Sequence, residues 1–260
     1  MIPLPLKPKI IKKQKNKAIF EIEALYPGYG VTIGNALRRV LLSSLGGAAV
    51  TQMKIKNVSH EFSTIPGVLE DVVNIMLNLK QMRFKILSEE PQKAILKVKG
   101  EKEIKGSDFK LPSQLELVNK DCHIATLTES KASLEMEIQV EKGLGYVPRE
   151  SRKKEKQEIG VITLDAIFTP IKRIAIKTEN MRVGERTDFD RLFLEIETDG
   201  IMSPEDAFSK ASDILLKHFD LFSQGLVKKP VKKETKEVKK KKLVKKEKKE
   251  DEKKKKRKKT

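Results

Sequence analysis

The side chains that could perform catalysis or bind a metal are few and scattered in this sequence. The histidines His60, His123 and His218 stand in unrelated contexts, without a second ligand at a spacing such as H-E-x-x-H. With one cysteine, Cys122, neither an intrachain disulfide nor a cysteine-based zinc site can form. We therefore expect a chain with no catalytic residue, no metal ligands and no cofactor site of its own.

Two further patterns suggest chemistry but have simpler explanations. Gly28, Gly30 and Gly34 precede a predicted helix, as in phosphate-binding loops, but their spacing is not G-x-G-x-x-G and no Gly-Lys-Ser/Thr follows. A tight turn that leads into the helix explains them. The acid pair Asp188 and Asp190 lies beside arginines, and we interpret it as loop and cap residues and not as a metal site for nucleotidyl transfer.

Composition separates a globular region from a charged tail. The chain has 260 residues and a net charge of +18. Residues 226–260 hold 20 Lys or Arg and 6 Asp or Glu, which gives them +14 of that charge. With almost nothing to bury, this tail is predicted to be disordered. It is either a solubility tail or a polycation that binds nucleic acid phosphates without sequence preference, and it has no aromatic residue to stack on bases.

No segment has the pattern of a signal peptide, and no window reaches the roughly 18 apolar residues of a membrane span. We therefore expect a reducing, cytoplasmic location and no membrane partner.

The elements that must position any site follow from periodicity and from turn residues. Ser203-Pro204 with an acid three residues after the serine is a strong helix start. Val68–Lys80 shows a helical stripe, and Ser133–Val140 alternates cleanly between apolar and polar residues. The predicted order of elements indicates an α+β fold and not a parallel sheet. The other predicted elements are a strand at Ala18–Ala24, a helix at Thr32–Leu45 with Thr32 as its N-cap, strands at Gln52–Val58, Ile86–Val98, Val161–Lys177 and Leu192–Thr198, a polar loop at Ser151–Glu158, and a helix from Ser203 to about Ser223 that ends at Gly225.

Two of these helices are more apolar than a single copy requires. On the first, Leu42 lies opposite the core stripe and is flanked by Arg38 and Arg39, a composition common at protein interfaces. A single exposed leucine is the simpler alternative. On the helix after Ser203 the apolar residues cover about 160° of arc, so either a second subunit covers the rest or the helix is sunk in one core.

Six ordered blocks in residues 18–224 resemble the α subunit of bacterial-type RNA polymerase. The longest is Gly28–Leu45, GYGVTIGNALRRVLLSSL. The others are HEFST at 60–64 with Gly67, Glu70 and Asp71; LNLK at 77–80; GLGYVP at 143–148; Asp165 and Ala166 with Pro170 and Arg173–Ala175; and Arg182 and Val183 with Arg186–Asp188 and Glu195–Gly200.

The resemblance implies a dimerisation domain made from 1–46 and 173–225, a β-rich insert domain at 47–172, and the tail at 226–260. It implies a homodimer that recruits the polymerase β and β′ subunits, one per copy, with omega and sigma in the holoenzyme and magnesium held by the catalytic partners. The compartment would be a bacterial cytoplasm or a plastid. The residues implied are Arg38, Arg39, Leu42 and Ser43 for the β-subunit interface; Asn78, Leu79 and Lys80 for large-subunit docking; and Ile33, Leu37, Leu41, Phe208, Leu215, Phe219 and Phe222 for the dimer interface.

One departure from the family pattern concerns the end of the chain. Family members continue through a linker into a small helical domain that binds promoter DNA, whereas this sequence has the Lys/Glu tail there. We expect weak, non-specific DNA binding by the tail instead. The competing hypothesis is a free-standing nucleic-acid-binding protein; an independent enzyme has no supporting constellation of residues.

Overall fold

Residues with strict apolar–polar alternation form most of the fold, because one side of each sheet is buried. The computed structural model describes residues 2–152 and 160–226, and the side chains of that range up to 224. The predicted strand at 133–140 lies within a longer strand, and its residues Leu134, Met136, Ile138 and Val140 are all buried. The α+β class is confirmed. In chain order the elements are β1 (Lys9–Gln14), β2 (Lys17–Leu25), α1 (Tyr29–Ser43), β3 (Gly46–Ile55), α2 (Val72–Gln81), β4 (Phe84–Ile86), β5 (Gln92–Lys99), β6 (Lys102–Lys105), β7 (Leu115–Leu117), β8 (His123–Leu127), β9 (Ser133–Leu144), β10 (Tyr146–Val147), β11 (Val161–Thr163), β12 (Ala166–Ile167), β13 (Ile171–Val183), β14 (Arg186–Thr198) and α3 (Pro204–Leu226).

The strands form two main antiparallel sheets. One has the order β1-β2-β14-β13, so it joins the two ends of the region. The other has the order β5-β9-β3-β4-β7, with β11 also paired to β3. The pairs β10–β12 and β6–β8 complete the described strands.

Two separate hydrophobic cores lie under these sheets. The insert core takes its buried members from residues 48–164. The terminal core combines α1, β2, β13, β14 and the first turns of α3. The division matches a two-part domain with an insert, while the boundaries after residues 46 and 172 stay predictions.

The chain divides into two compact units after Lys217. The first unit contains both cores. The second begins at His218, and its described part is the last turns of α3, where the rings of Phe219 and Phe222 pack in a T-shaped arrangement with centroids 6.4 Å apart. The predicted tail lies outside the described residues beyond Leu226, as do residues 153–158 of the predicted polar loop.

Several predicted boundaries were wrong, each for an identifiable local reason. The first helix begins at Tyr29 and not after Thr32, because Gly28 takes a left-handed conformation (φ 83°) and serves as the N-cap. The second begins at Val72, because the Asp71 carboxylate accepts the backbone N–H of Asn74 and caps it there. The strand predicted at 52–58 is β3, which begins six residues earlier. The helix after Ser203 continues past Gly225 to Leu226, although the Ser203 hydroxyl caps its start as predicted.

Candidate functional site

Helix α1 lies directly on the sheet of the terminal core, and glycines make this approach possible. A Cβ at Gly34 would come within 3.0 Å of the side chain of Ile176 on β13. The backbone N–H of Gly30 donates to the Asp190 carboxylate on β14, 3.0 Å away. A carboxylate therefore already occupies the helix N-terminus, where a phosphate would have to bind. Gly28 makes the turn into the helix, as predicted, while Gly30 and Gly34 permit close packing on the sheet. Asp190 is a cap residue, but it and Asp188 lie in a strand and not in a loop.

The outer side of α1 presents the residues predicted to contact the β subunit. Arg38, Arg39 and Ser43 are exposed, and Leu42 is 38% exposed. The Ser43 hydroxyl donates to the Arg39 carbonyl at 2.7 Å, in the last turn of the helix. Among the described residues neither arginine forms an ion pair, so both guanidinium groups are available to a partner.

A hairpin of the insert region lies beside the end of α1. Gly145, between β9 and β10, has φ 61°, and a Cβ added there would lie 3.5 Å from the Ser43 carbonyl oxygen. On either side of it Leu144 and Tyr146 are 60% and 59% exposed. Tyr146 pairs with Ile167 on β12, which is also exposed. We call the exposed residues of this region, Arg38, Arg39, Leu42, Ser43, Leu144, Tyr146 and Ile167, the α1–hairpin surface.

Lys80, at the end of α2, joins the same region through an ion pair. Its Nζ lies 2.8 Å from Oδ2 of Asp165, and the Tyr146 hydroxyl donates to the same oxygen at 3.4 Å. The hydrogen bond from Lys80 holds the pKa of the Asp165 carboxyl below its usual value. Three sequence blocks that are far apart in the chain therefore meet at one carboxylate.

The other two residues predicted for large-subunit docking have structural contacts. Leu79 is fully buried in the insert core. The Asn78 side-chain amide donates to the Ile124 carbonyl on β8 at 3.0 Å. Leu79 and Asn78 thus hold α2 in place, while the Lys80 side chain is partly exposed beside Asp165.

The residues predicted for the dimer interface divide by exposure. Leu37 and Leu41 are buried in the terminal core of a single copy, and Ile33 is partly buried there, so they support α1 from behind. Phe208 stacks on Phe20 with centroids 4.8 Å apart, and Leu215 is partly buried. In the last turns of α3, Phe219 and Phe222 are 60% and 61% exposed. Leu221, which belongs to the apolar arc of this helix, and Leu216, which lies outside that arc, are exposed as well.

Comparison with known proteins identifies the family. Residues 53–169 match the family model of the RNA polymerase Rpb3/RpoA insert domain. A DNA-directed RNA polymerase subunit alpha of Cytophaga hutchinsonii is 47% identical over 237 residues, which cover 90% of this chain and 72% of that protein. Those of Oceanobacillus iheyensis and Symbiobacterium thermophilum are 46% and 47% identical over 220 residues, which cover 83% of this chain and 70% of each relative. The chain belongs to the RNA polymerase alpha subunit family.

The alpha subunit family explains the two cores. The matched insert domain, residues 53–169, contains most of the insert core, while the terminal core takes its strands and helices from the sequence on both sides of it. The β10–β12 pair, next to α1, lies near the end of the matched range. The α1–hairpin surface is thus formed jointly by the insert domain and the first helix of this alpha subunit.

Histidine and cysteine side chains in this alpha subunit have structural contacts. His60 Nδ1 lies 3.2 Å from the Ser63 hydroxyl, and His123 lies between the carboxylates of Glu70 and Glu103. Burial raises the pKa of the half-buried Cys122 thiol. Among the described residues no group of three or more His, Cys, Asp or Glu side chains could hold a metal ion. No helix of the described part is long and apolar enough to cross a membrane.

Proposed function

We propose that this alpha subunit is the assembly scaffold of DNA-directed RNA polymerase: it forms a homodimer and recruits the β and β′ subunits. Family membership supports the first step, because the relatives are alpha subunits of DNA-directed RNA polymerase. The chain itself contributes no catalytic residue or cofactor. Polymerisation of ribonucleotides, and the magnesium it needs, belong to the partner subunits.

The observation that carries this proposal is the α1–hairpin surface. It contains exposed leucines, an exposed tyrosine and two arginines that form no ion pair with any residue that the structure describes. Arginine and aromatic residues are enriched at protein interfaces, and they dominate binding energy where they become desolvated. We propose that Arg38, Arg39, Leu42 and Ser43 contact the β subunit. Lys80 with Asp165 and Tyr146 forms the adjoining part that docks a large subunit.

The substitution Arg39→Ala tests the β-subunit contact. Since Arg39 has no ion pair within the described chain, its loss leaves the fold and the dimer intact. It weakens capture of the β subunit by roughly 2–5 kcal/mol if its charge is desolvated in the complex. The assay is co-purification of β with tagged full-length chain, and the matched control is Lys110→Ala, which removes an exposed cation from the insert. Capture of β by Arg39→Ala at the control's yield would refute the assignment.

The apolar end of α3 supports the homodimer. Two phenylalanines that are mostly exposed on one helix are unusual for a monomer, and a twofold axis would let each copy cover the other's residues. Within the first compact unit Ile33, Leu37, Leu41, Phe208 and Leu215 are buried or partly buried in the terminal core, where they hold α1 and the first turns of α3. One copy then binds β and the other β′, and omega and sigma join in the holoenzyme. We place this assembly in the bacterial cytoplasm, with a plastid as the alternative.

The charged segment of residues 226–260 is proposed to hold the enzyme near DNA without sequence preference. Its support is the +14 charge of the segment, since a polycation gains affinity through counterion release. The test compares DNA binding by polymerase assembled with the full chain and with a chain cut after Gly225, across a salt series. We expect the DNA affinity of the polymerase with the truncated chain to depend less on salt concentration. An equal salt dependence of DNA affinity in both forms would refute the proposal.

A further inference from the structure

Arg83 lies at the junction between α2, which carries Lys80, and the insert sheet. It lies between α2 and β4, and its Nη1 donates to the carbonyls of Lys80 at 2.7 Å and Met82 at 3.1 Å. The last carbonyls of a helix have no intrahelical partner, so this guanidinium caps the end of α2 that carries Lys80. The backbone N–H of Arg83 donates to the Asn119 side chain at 2.7 Å, which holds the residue in place.

The same guanidinium reaches out of the insert core to a buried carboxylate. Arg83 Nε lies 3.4 Å from Oδ2 of Asp199, whose side chain is 3% exposed. Asp199 belongs to the turn between β14 and α3, so it is part of the terminal core's framework. Its other oxygen accepts the Ile201 N–H at 3.0 Å, and its own N–H donates to the Pro170 carbonyl at 3.0 Å. Asp199 therefore fixes the geometry of the turn that begins α3.

An open cleft next to this contact shows that the two parts are not packed continuously there. It has a volume of about 540 Å³. On the insert side its walls come from β3, β4 and β9, and on the other side from Ile201, Met202 and Lys210. Where apolar packing is interrupted, a buried ion pair can determine orientation, because a charge buried without its partner is strongly disfavoured.

Burial raises the pKa of the Asp199 carboxyl, while the Ile201 N–H and the Arg83 charge act in the opposite direction. The carboxylate is thus desolvated by its surroundings and stabilised by few contacts. The Arg83 guanidinium supplies one of those contacts from the insert region, and its loss removes a link between the insert region and the turn that begins α3.

We propose that Arg83 and Asp199 are positioning residues that lock the end of α2, with Lys80, to the start of α3. Dimerisation through α3 would then present Lys80 to the large subunit in one fixed orientation. This inference rests on the proposed function for its consequence in docking, but the lock itself is a property of the single chain.

The lock is tested by a distance measurement on the full-length chain without partners. Spin labels are placed at the exposed positions Lys12 on β1 and Lys99 on β5 through Lys→Cys substitutions, with Cys122→Ser removing the native thiol. Dilution with unlabelled chain ensures that each measured pair lies within one copy. Asp199→Asn keeps the Ile201 N–H bond but removes the charge. We expect the distance distribution to broaden about twofold, because side-chain pairs across the cleft no longer select one orientation.

Asp108→Asn is the matched control for this measurement. Asp108 also accepts a backbone N–H, from Lys105 at 2.9 Å, and pairs with Lys102 at 2.5 Å, but all three residues lie within the insert region. Its distance distribution should equal that of the wild type. An unchanged width in Asp199→Asn, whatever happens to its unfolding temperature, overturns the proposal. If Asp199→Asn does not fold, Arg83→Lys takes its place, since lysine keeps the charge but cannot make both contacts at once.

Capture of a large subunit then tests the consequence for assembly. Asp199→Asn should form the dimer normally but capture the large subunit about tenfold more weakly than Asp108→Asn. A broadened distribution with unchanged capture would overturn the link between orientation and docking. If the wild-type chain captures no large subunit, the proposed function fails, and the distance measurement still decides whether the lock exists.

Discussion

The substitution Phe219→Ala is expected to weaken the homodimer strongly. A phenylalanine buries roughly 200 Å² when fully covered. In one copy Phe219 is 60% exposed, so the second copy has about 120 Å² left to cover. At about 25 cal/mol per Å², this area contributes about 3 kcal/mol per copy. Twofold symmetry counts the loss twice, which gives an upper bound of about 6 kcal/mol.

Only part of buried area appears as affinity, because ordering of side chains and loss of free motion oppose association. We therefore expect the dimer dissociation constant to rise by at least about 30-fold, or about 2 kcal/mol. Sedimentation equilibrium of the full-length chain over a concentration series measures it directly. The fold should be unaffected, since the ring leaves no cavity in either described core.

Leu87→Ala is the control, because Leu87 is 71% exposed but lies in the insert region between β4 and β5. It should dimerise like the wild type. If Phe219→Ala also dimerised as tightly as the wild type, the assignment of the α3 end to the dimer contact would be refuted.

Three further outcomes follow from single contacts. Gly47→Ala should lower the free energy of unfolding by at least about 3 kcal/mol in chemical denaturation, because its Cβ would lie 1.9 Å from the Phe168 carbonyl oxygen. The control Gly46→Ala should change the free energy of unfolding much less, because the nearest atom to its Cβ would be 3.6 Å away. Because the folded-state pKa of Asp165 is lowered, the contribution of its carboxylate to the free energy of unfolding is complete above the unfolded pKa of about 3.9 and is lost as pH falls through the folded pKa. The stability difference between wild type and Asp165→Asn should therefore be constant near neutrality and vanish in acid. A difference that stays constant down to low pH would contradict this. Because the pKa of Cys122 is raised by burial, it should react with iodoacetamide at pH 8 more slowly than a free thiol, and unfolding in urea should abolish the difference.

Local sequence patterns predicted those parts of the fold that depend on neighbouring residues. The alternation in 133–140 and the cap at Ser203 are local properties, and both are present. The exposure of Leu42 also followed from its position on a helical wheel. The start of α1 did not, because the left-handed N-cap Gly28 is followed by Gly30, whose N–H is held by the Asp190 carboxylate 160 positions along the chain.

The candidate site was predictable only in pieces. The blocks with Lys80, Asp165 and Tyr146 could each be identified in the sequence, but nothing local indicates that they share one carboxylate oxygen. The approach of Gly145 to Ser43 depends on the register of β3 with β9, which is set by which residues of both strands are buried. Leu79 was predicted to take part in docking a large subunit, but its side chain is buried in the single chain. The sequence did not indicate this, because the burial of Leu79 depends on the sheet under α2.

The structure of α1 explains why folding and partner contact can be assigned to different residues of one short helix. Leu37 and Leu41 point into the terminal core and are held by its sheet, so they are constrained by packing. Arg39 lies two residues from each of these leucines and Leu42 follows Leu41 directly, and both lie on the side of the helix that the sheet leaves open. Because Gly30 and Gly34 bring the helix close to the sheet, it is fixed before any partner arrives, and its outer side chains need little reordering on binding. Pre-organisation of this kind favours a scaffold, since a subunit that orders others must itself lose little freedom when it binds them.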